Sequence, residues 1–182
     1  MQSLLDDLIG VERKIPISVS EAHYKIKAIS AKKATLYMRI NHYTHTCVPI
    51  QVASYGLYEE QSLIGAIVFA LPVSESVRIS VFGEEYKNRV IELVRLHLLD
   101  LTPTNTESWF VSRCLKLLKK DHPELWAVIS FSDTTMNHFG TIYQSCNFYK
   151  VGTSEERVSY IDNEGRLRHK RQGAKTLTDA DA

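Results

Sequence analysis

Four short stretches of the chain concentrate side chains that do chemistry. Asn41-His42-Tyr43-Thr44-His45 carries two imidazoles three residues apart, which share a face if a helix runs through them. Imidazole is the commonest metal ligand and general base, so the pair reads either as a metal or proton-transfer site or as a solvated helix end. Arg95 and His97 alternate along a run rich in leucine and valine, on one face of an extended chain with Glu92 on the other. A guanidinium in a central strand needs an anion, from a ligand or from an internal carboxylate, because burying it unpaired is costly.

Asn105-Thr106-Glu107-Ser108-Trp109 opens an amphipathic run just after a strand. Free amides at a helix start favour phosphate, which suits a nucleotide or a coenzyme diphosphate and makes Asn105, Thr106, Ser108 and Arg113 the cofactor-binding candidates. Thr104 and Glu107 equally match a capping box, and no P-loop or GxGxxG pattern accompanies them. Ser132-Asp133-Thr134-Thr135, followed by His138 and Tyr143, places a carboxylate at the mouth of an apolar strand with an imidazole five residues on. That is an acid/base or metal pair, or an Asp helix cap.

The elements that must position these groups follow from periodicity. Ile15 to Val19 alternates and reads as a first strand, and Ser30 caps a helix to about Tyr43 that buries Ala34, Met38, Tyr37 and Ile40. Ser54–Tyr58 and Leu63–Ala70 form a hairpin around Glu59-Glu60-Gln61-Ser62, followed by a short polar helix near Glu84–Asn88 and a central strand over Val90–Leu99. The helix after the Thr104 capping box spaces Phe110, Val111, Cys114, Leu117 and Leu118 three and four apart and stops before Pro123. Leu125–Phe131 reads as a strand buried on both faces, Asn137–Asn147 as a helix, Phe148–Val151 as a strand and Val158–Leu167 as a late hairpin. This order predicts an α/β fold with a mixed, mostly antiparallel sheet flanked by helices, as in GNAT-like acetyltransferases.

With 182 residues, 44% hydrophobic and 24% charged, the chain reads as a single domain over 1–182 with a loose tail from about 173. Lys plus Arg number 22 against 21 acids, which excludes a coat of positive charge but leaves room for a local basic patch. Arg166, Arg168, Lys170 and Arg171 form such a patch, suited to nucleic-acid phosphate. Three widely spaced cysteines argue against a disulfide framework, and the longest apolar run, Leu63–Pro72, is too short to span a bilayer. The first residues lack the layout of a signal peptide, so a soluble intracellular protein with no membrane partner is expected.

Several of these segments resemble the phage Mom family in matching order, from about Asn41 to Thr153. They are Asn41-His42-Tyr43, Gly56, Leu63-Ile64-Gly65, Ile91 to Leu96, Asn105 to Arg113, Ser130 to Asp133, and His138 to Gln144 with Asn147-Phe148 and Gly152. The run Asn105–Arg113 is the most specific. The resemblance implies an acetyltransferase-like fold, acetyl-CoA as cofactor, an iron requirement, and conversion of DNA adenine to an N6-methylcarbamoyl form that resists restriction enzymes in the cytoplasm of an infected bacterial host. Carried over position by position, it implies metal-site roles for His42, Tyr43 and Asp133. It also places Arg95, Ser108 and Tyr143 around the acyl-CoA and catalytic centre, so that Tyr43, Arg95, Ser108, Asp133 and Tyr143 form the catalytic set. Two positions depart from the family pattern: Val94 replaces its usual Asn, and Phe131-Ser132 replaces Tyr-Ala before Asp133. Two alternatives stand beside this reading. One is an N-acetyltransferase for a small molecule or protein, and the other is a phage interaction protein that keeps the fold without turnover.

Overall fold

The computed structural model describes residues 18–19, 23–72, 74–133, 139–153, 160–161 and 167–168. Contacts divide the chain into two compact units, Met1–Tyr149 and Lys150–Ala182. The first holds a five-stranded sheet in the order β1-β2-β3-β4-β5. Its strands are β1 (Tyr24–Ala28), β2 (Ala53–Glu59), β3 (Ser62–Ala70), β4 (Val90–Leu98) and β5 (Ala127–Ile129). Successive strands from β1 to β4 pair antiparallel, and β5 pairs parallel to β4. In the second unit, β6 (Tyr160–Ile161) pairs antiparallel with β7 (Leu167–Arg168).

Local sequence explains most of the elements. In β1, Tyr24 and Ile26 pack on the core while Lys25 and Lys27 are exposed. The strand expected over Ile15–Val19 lies largely outside the described residues. Helix α1 (Ala31–Asn41) begins where the Ser30 hydroxyl accepts the Lys33 N–H at 3.3 Å. It buries Ala34, Tyr37 and Met38, but Ile40 is 65% exposed and leaves the predicted core, because it rotates past that stripe. The β2–β3 hairpin turns where predicted, with Glu60 taking the left-handed conformation at φ 52°.

The polar helix expected near Glu84–Asn88 is displaced. Helix α2 (Glu75–Phe82) starts earlier, where the Ser74 hydroxyl accepts the Val77 N–H, and ends at Gly83, whose φ is 80°; only a 3₁₀ turn follows, over Lys87–Arg89. Helix α3 (Thr106–Asp121) is amphipathic as expected and crosses from β4 to β5. Strand β5 is shorter than predicted and is not buried on both faces, since Ala127 and Val128 are only half-buried and the predicted strand ends Trp126 and Phe131 fall outside it, 61% and 50% exposed. It is an edge strand with one neighbour, and an apolar run cannot reveal its place in the sheet. Helix α4 (Thr141–Ser145) is a fragment of the helix expected from Asn137, whose first two positions lie outside the described residues. The strand predicted at Phe148–Val151 is not formed.

Two cores hold the sheet. On one face Leu57, Ile67, Phe69, Ile91 and Leu93 pack against Phe110, Val111, Cys114 and Leu118 of α3. On the other, Ala66 and Val68 pack against Ala34, Tyr37 and Met38 of α1. Phe69, Phe110 and Ile91 are fully buried, each contributing about 1.5–3 kcal/mol. Gly65 permits the tight approach of β3 to β4, because a Cβ there would lie 2.9 Å from Leu98 Cγ. Among the described residues no helix is long and apolar enough to cross a membrane.

Candidate functional site

The site is built by a break in the alternation of β4. Leu93 pairs with Phe69 and Arg95 with Val68, so Val94 is the extra residue of a β-bulge. Before it, Ile91 and Leu93 face the α3 core; after it, Leu96 does so, while Val94 packs on the α1 cluster. The bulge therefore puts Glu92 on the same face as Arg95 and His97, and strict alternation, which separates them, is overturned. Pairing of β4 with β5 ends at Glu92 and Ile129, although β4 runs on to Leu98. The sheet opens there, with the Ser130 hydroxyl donating to the Leu93 carbonyl at 3.0 Å where the ladder stops.

Tyr143 of α4 reaches this opening. Burial pushes its phenol pKa up; a hydrogen bond with Ser130 pulls it back, the charges of Tyr43 and Glu92 push it further up and Arg95 pulls it down. Tyr43, Glu92, Arg95, Ser130 and Tyr143 thus share one electrostatic neighbourhood, although they come from four separate parts of the chain. Arg95 is half-buried and donates from Nε to the Thr46 carbonyl at 3.2 Å and from a terminal nitrogen to the Val94 carbonyl at 2.6 Å. These partners are neutral, so the guanidinium keeps its charge for the opening.

Helix α1 ends at Asn41, so His42 and His45 do not share a helical face as expected. His45 takes a left-handed conformation, and its Nδ1 donates to the Arg39 carbonyl at 3.0 Å. His42 is buried and stacks on the exposed ring of Tyr43, with centroids 4.4 Å apart. Its Nδ1 accepts the Thr44 N–H at 3.2 Å. That bond occupies the Nδ1 lone pair. Among the described residues no three His, Cys, Asp or Glu side chains gather to hold a metal ion. Iron has no support among the described residues, while the metal roles implied for His42, Tyr43 and Asp133 stand as expectations. Asp133 follows β5 in the chain and is exposed, and His138, Thr134 and Thr135 lie outside the described residues.

His97 is held differently. The Tyr37 hydroxyl spends its single proton on the Ile64 carbonyl at 2.9 Å, so at 3.2 Å from His97 Nδ1 it can only accept. Nδ1 consequently carries the proton and Nε2 presents a lone pair, on the sheet face that also carries Arg95. Burial holds the His97 pKa below its ordinary value, which Asp100 partly offsets, and keeps the ring neutral at physiological pH. Tyr37, which the sequence reading placed only in the core, is the residue that sets this tautomer.

The cofactor candidates lie at the start of α3, which differs from the predicted capping box. The cap is Asn105, left-handed at φ 70° and making no side-chain cap bond. Thr106 is fully buried and its hydroxyl donates to the Pro103 carbonyl at 2.6 Å, so it faces no ligand. Ser108 donates to the Asn105 carbonyl at 3.1 Å, and Arg113 lies over the Trp109 ring at 5.4 Å. Asn105, Ser108, Ser112, Arg113 and Lys116 line a groove of about 340 Å³. Arg113 and Lys116 stand two and three turns into α3 and supply the positive charge of this groove. Of the basic candidates further on, Arg166, Lys170 and Arg171 lie outside the described residues, and Arg168 stands in β7.

A mixed sheet, antiparallel from β1 to β4, bulged in β4 and opened beside a parallel β5, defines an acetyltransferase-like α/β protein. The Mom protein family matches residues 23–181, and the chain belongs to it. It is 26% identical over 140 residues to the methylcarbamoylase mom of Escherichia phage Mu, covering 77% of this chain and 58% of that protein, so it spans less than two thirds of the relative's length. An integron cassette protein from the mobile metagenome of V. cholerae shares the fold at 10% identity with a TM-score of 0.55, covering 87% of this chain and 98% of that one. An aminoglycoside N-acetyltransferase solved with CoA is 11% identical with a TM-score of 0.49, covering 84% of this chain and 99% of that one.

Proposed function

We propose that this protein is an acyl-CoA-dependent DNA-modifying enzyme that acts on the N6 amine of adenine, installing a methylcarbamoyl group that protects phage DNA from host restriction in the infected cell's cytoplasm. The observation that carries the reading is the opening where β4–β5 pairing stops at Glu92, with Arg95 on the same face and the Ser130 hydroxyl bonded to the Leu93 carbonyl beside it. The family relative named a methylcarbamoylase supports the choice of group. A bound acyl-CoA would supply the activated carbonyl carbon and release the coenzyme thiol, and the methylcarbamoyl nitrogen would come from a separate amine or amide donor.

The α3 groove holds the coenzyme's diphosphate, with Arg113 and Lys116 offsetting its charge. Arg95 stabilises negative charge that develops at the acyl oxygen. Tyr143 remains protonated at neutral pH and donates a proton at the opening. Tyr43, exposed and stacked on His42, offers a face for the target base. Adenine N6 is paired within a duplex, so the base must leave the stack to reach this opening. Nucleoside mass spectrometry of DNA from cells expressing the protein tests the proposal: modified adenine is expected, and unmodified adenine throughout refutes it.

A further inference from the structure

Between His23 and Tyr58 the chain contains five Lys and Arg residues and no Asp or Glu, within a protein whose overall charge is only +1. The five are Lys25, Lys27, Lys32, Lys33 and Arg39, on β1 and α1. All are exposed, and none pairs with a carboxylate among the described residues. Lys27 and Lys33 both lie over the Tyr58 ring, at 5.4 and 5.0 Å, which gathers the β1 and α1 cations onto one surface.

Along α1 the outward side is apolar as well as basic. Leu36 and Ile40 are 60% and 65% exposed and lie four residues apart on one helix face, and the exposed Tyr43 follows two residues after the helix ends at Asn41. Lys32 and Arg39 flank them. An exposed leucine–isoleucine pair ringed by cations and free of acids is unsuited to bulk water and equally unsuited to an ordinary apolar interface, where charge at the core is depleted. It matches what a duplex presents: phosphates for the cations, and base steps between which apolar side chains wedge.

We infer that the outer face of α1, with the lysines of β1, is the surface on which this protein docks duplex DNA, and that Leu36 and Ile40 wedge the base stack beside the site. Phosphates bound by Lys32, Lys33 and Arg39 set the duplex along the helix, and the wedge opens the stack where Tyr43 receives the base. The inference rests on the DNA-modifying reading above and assigns the docking surface that reading leaves open.

The test uses the full chain and a 20-base-pair duplex, with binding measured by fluorescence anisotropy across a salt series. Lys32→Ala, Lys33→Ala and Arg39→Ala combined should flatten the slope of log affinity against log salt by about 2.7, three contacts at about 0.9 each. Leu36→Ala with Ile40→Ala should keep the slope while adenine modification falls at least about tenfold, as expected if stack opening depends on the wedge. All five side chains are exposed, and circular dichroism checks that both variants remain folded. An unchanged slope in the triple variant overturns the docking surface, and unchanged modification in the double variant overturns the wedge. Binding of wild type to duplex without adenine modification refutes the activity reading alone, with the slope still deciding the surface. Failure of wild type to bind duplex, including a preference for phosphatidylserine vesicles, overturns the inference.

Discussion

Tyr37→Phe removes one oxygen and tests the hydrogen-bond logic that fixes His97. In the folded protein the Tyr37 hydroxyl donates to the Ile64 carbonyl at 2.9 Å and accepts from His97 Nδ1 at 3.2 Å. The Ile64 carbonyl also accepts the Leu99 N–H at 2.8 Å, so the variant costs it one of two donors and does not orphan it. That loss is worth about 1 kcal/mol. The Nδ1–H of His97 loses its only acceptor, and an unsatisfied donor in a half-buried position adds about 1 kcal/mol more unless the ring moves its proton to Nε2. The sum is about 2 kcal/mol, a fall in Tm of roughly 4–8 °C for a chain of this size. Urea denaturation reads the stability, and long-range ¹H–¹⁵N NMR reads the tautomer directly. The expected spectra show the Nδ1–H form in the wild type and a mixed or Nε2–H form in the variant. A loss below about 0.5 kcal/mol with an unchanged tautomer refutes the reasoning.

Two further outcomes follow from the same groups. Tyr143→Phe keeps the partly buried ring and removes the proton donor, so folding by circular dichroism should persist while the modification rate falls by about 10²–10⁴-fold; an unchanged rate removes Tyr143 from the chemistry. His97 has a folded pKa below its ordinary 6.5, so between those values the unfolded chain binds the extra proton. Stability should therefore fall as pH drops below about 6.5 and level off below the folded value, and in His97→Asn, measured by urea titration across pH 5–8, this part of the dependence should vanish.

Local signals were legible in the chain itself. Ser30 caps α1 as its hydroxyl predicts, the β2–β3 turn falls at its polar residues, and the three- and four-residue spacing of Phe110, Val111, Cys114 and Leu118 marks the buried stripe of α3. The start of α3 was misread because the Thr104–Glu107 pattern describes a cap that the left-handed Asn105 pre-empts. Strand β1 was missed because two lysines in five residues leave only Tyr24 and Ile26 to show its period. Most of the candidate site was named from the sequence, but Glu92 was assigned to the wrong face and Tyr37 to packing alone.

What the sequence determined by itself is the set of elements and most of the reactive residue types, since capping, turn chemistry and helical period act within a few residues. The tertiary structure decided which of those residues meet. A single extra residue at Val94 reverses the alternation of β4 and brings Glu92 round to Arg95, and that reversal depends on the register with β3. The tautomer of His97 depends on a tyrosine 60 positions away, and no local pattern encodes that pairing. The short β5 leaves the far side of β4 without a strand partner beyond Glu92, which makes the opening that Tyr143 reaches. Register, edge position and long-range hydrogen bonds are properties of pairs of segments, and they exist only once the sheet has formed.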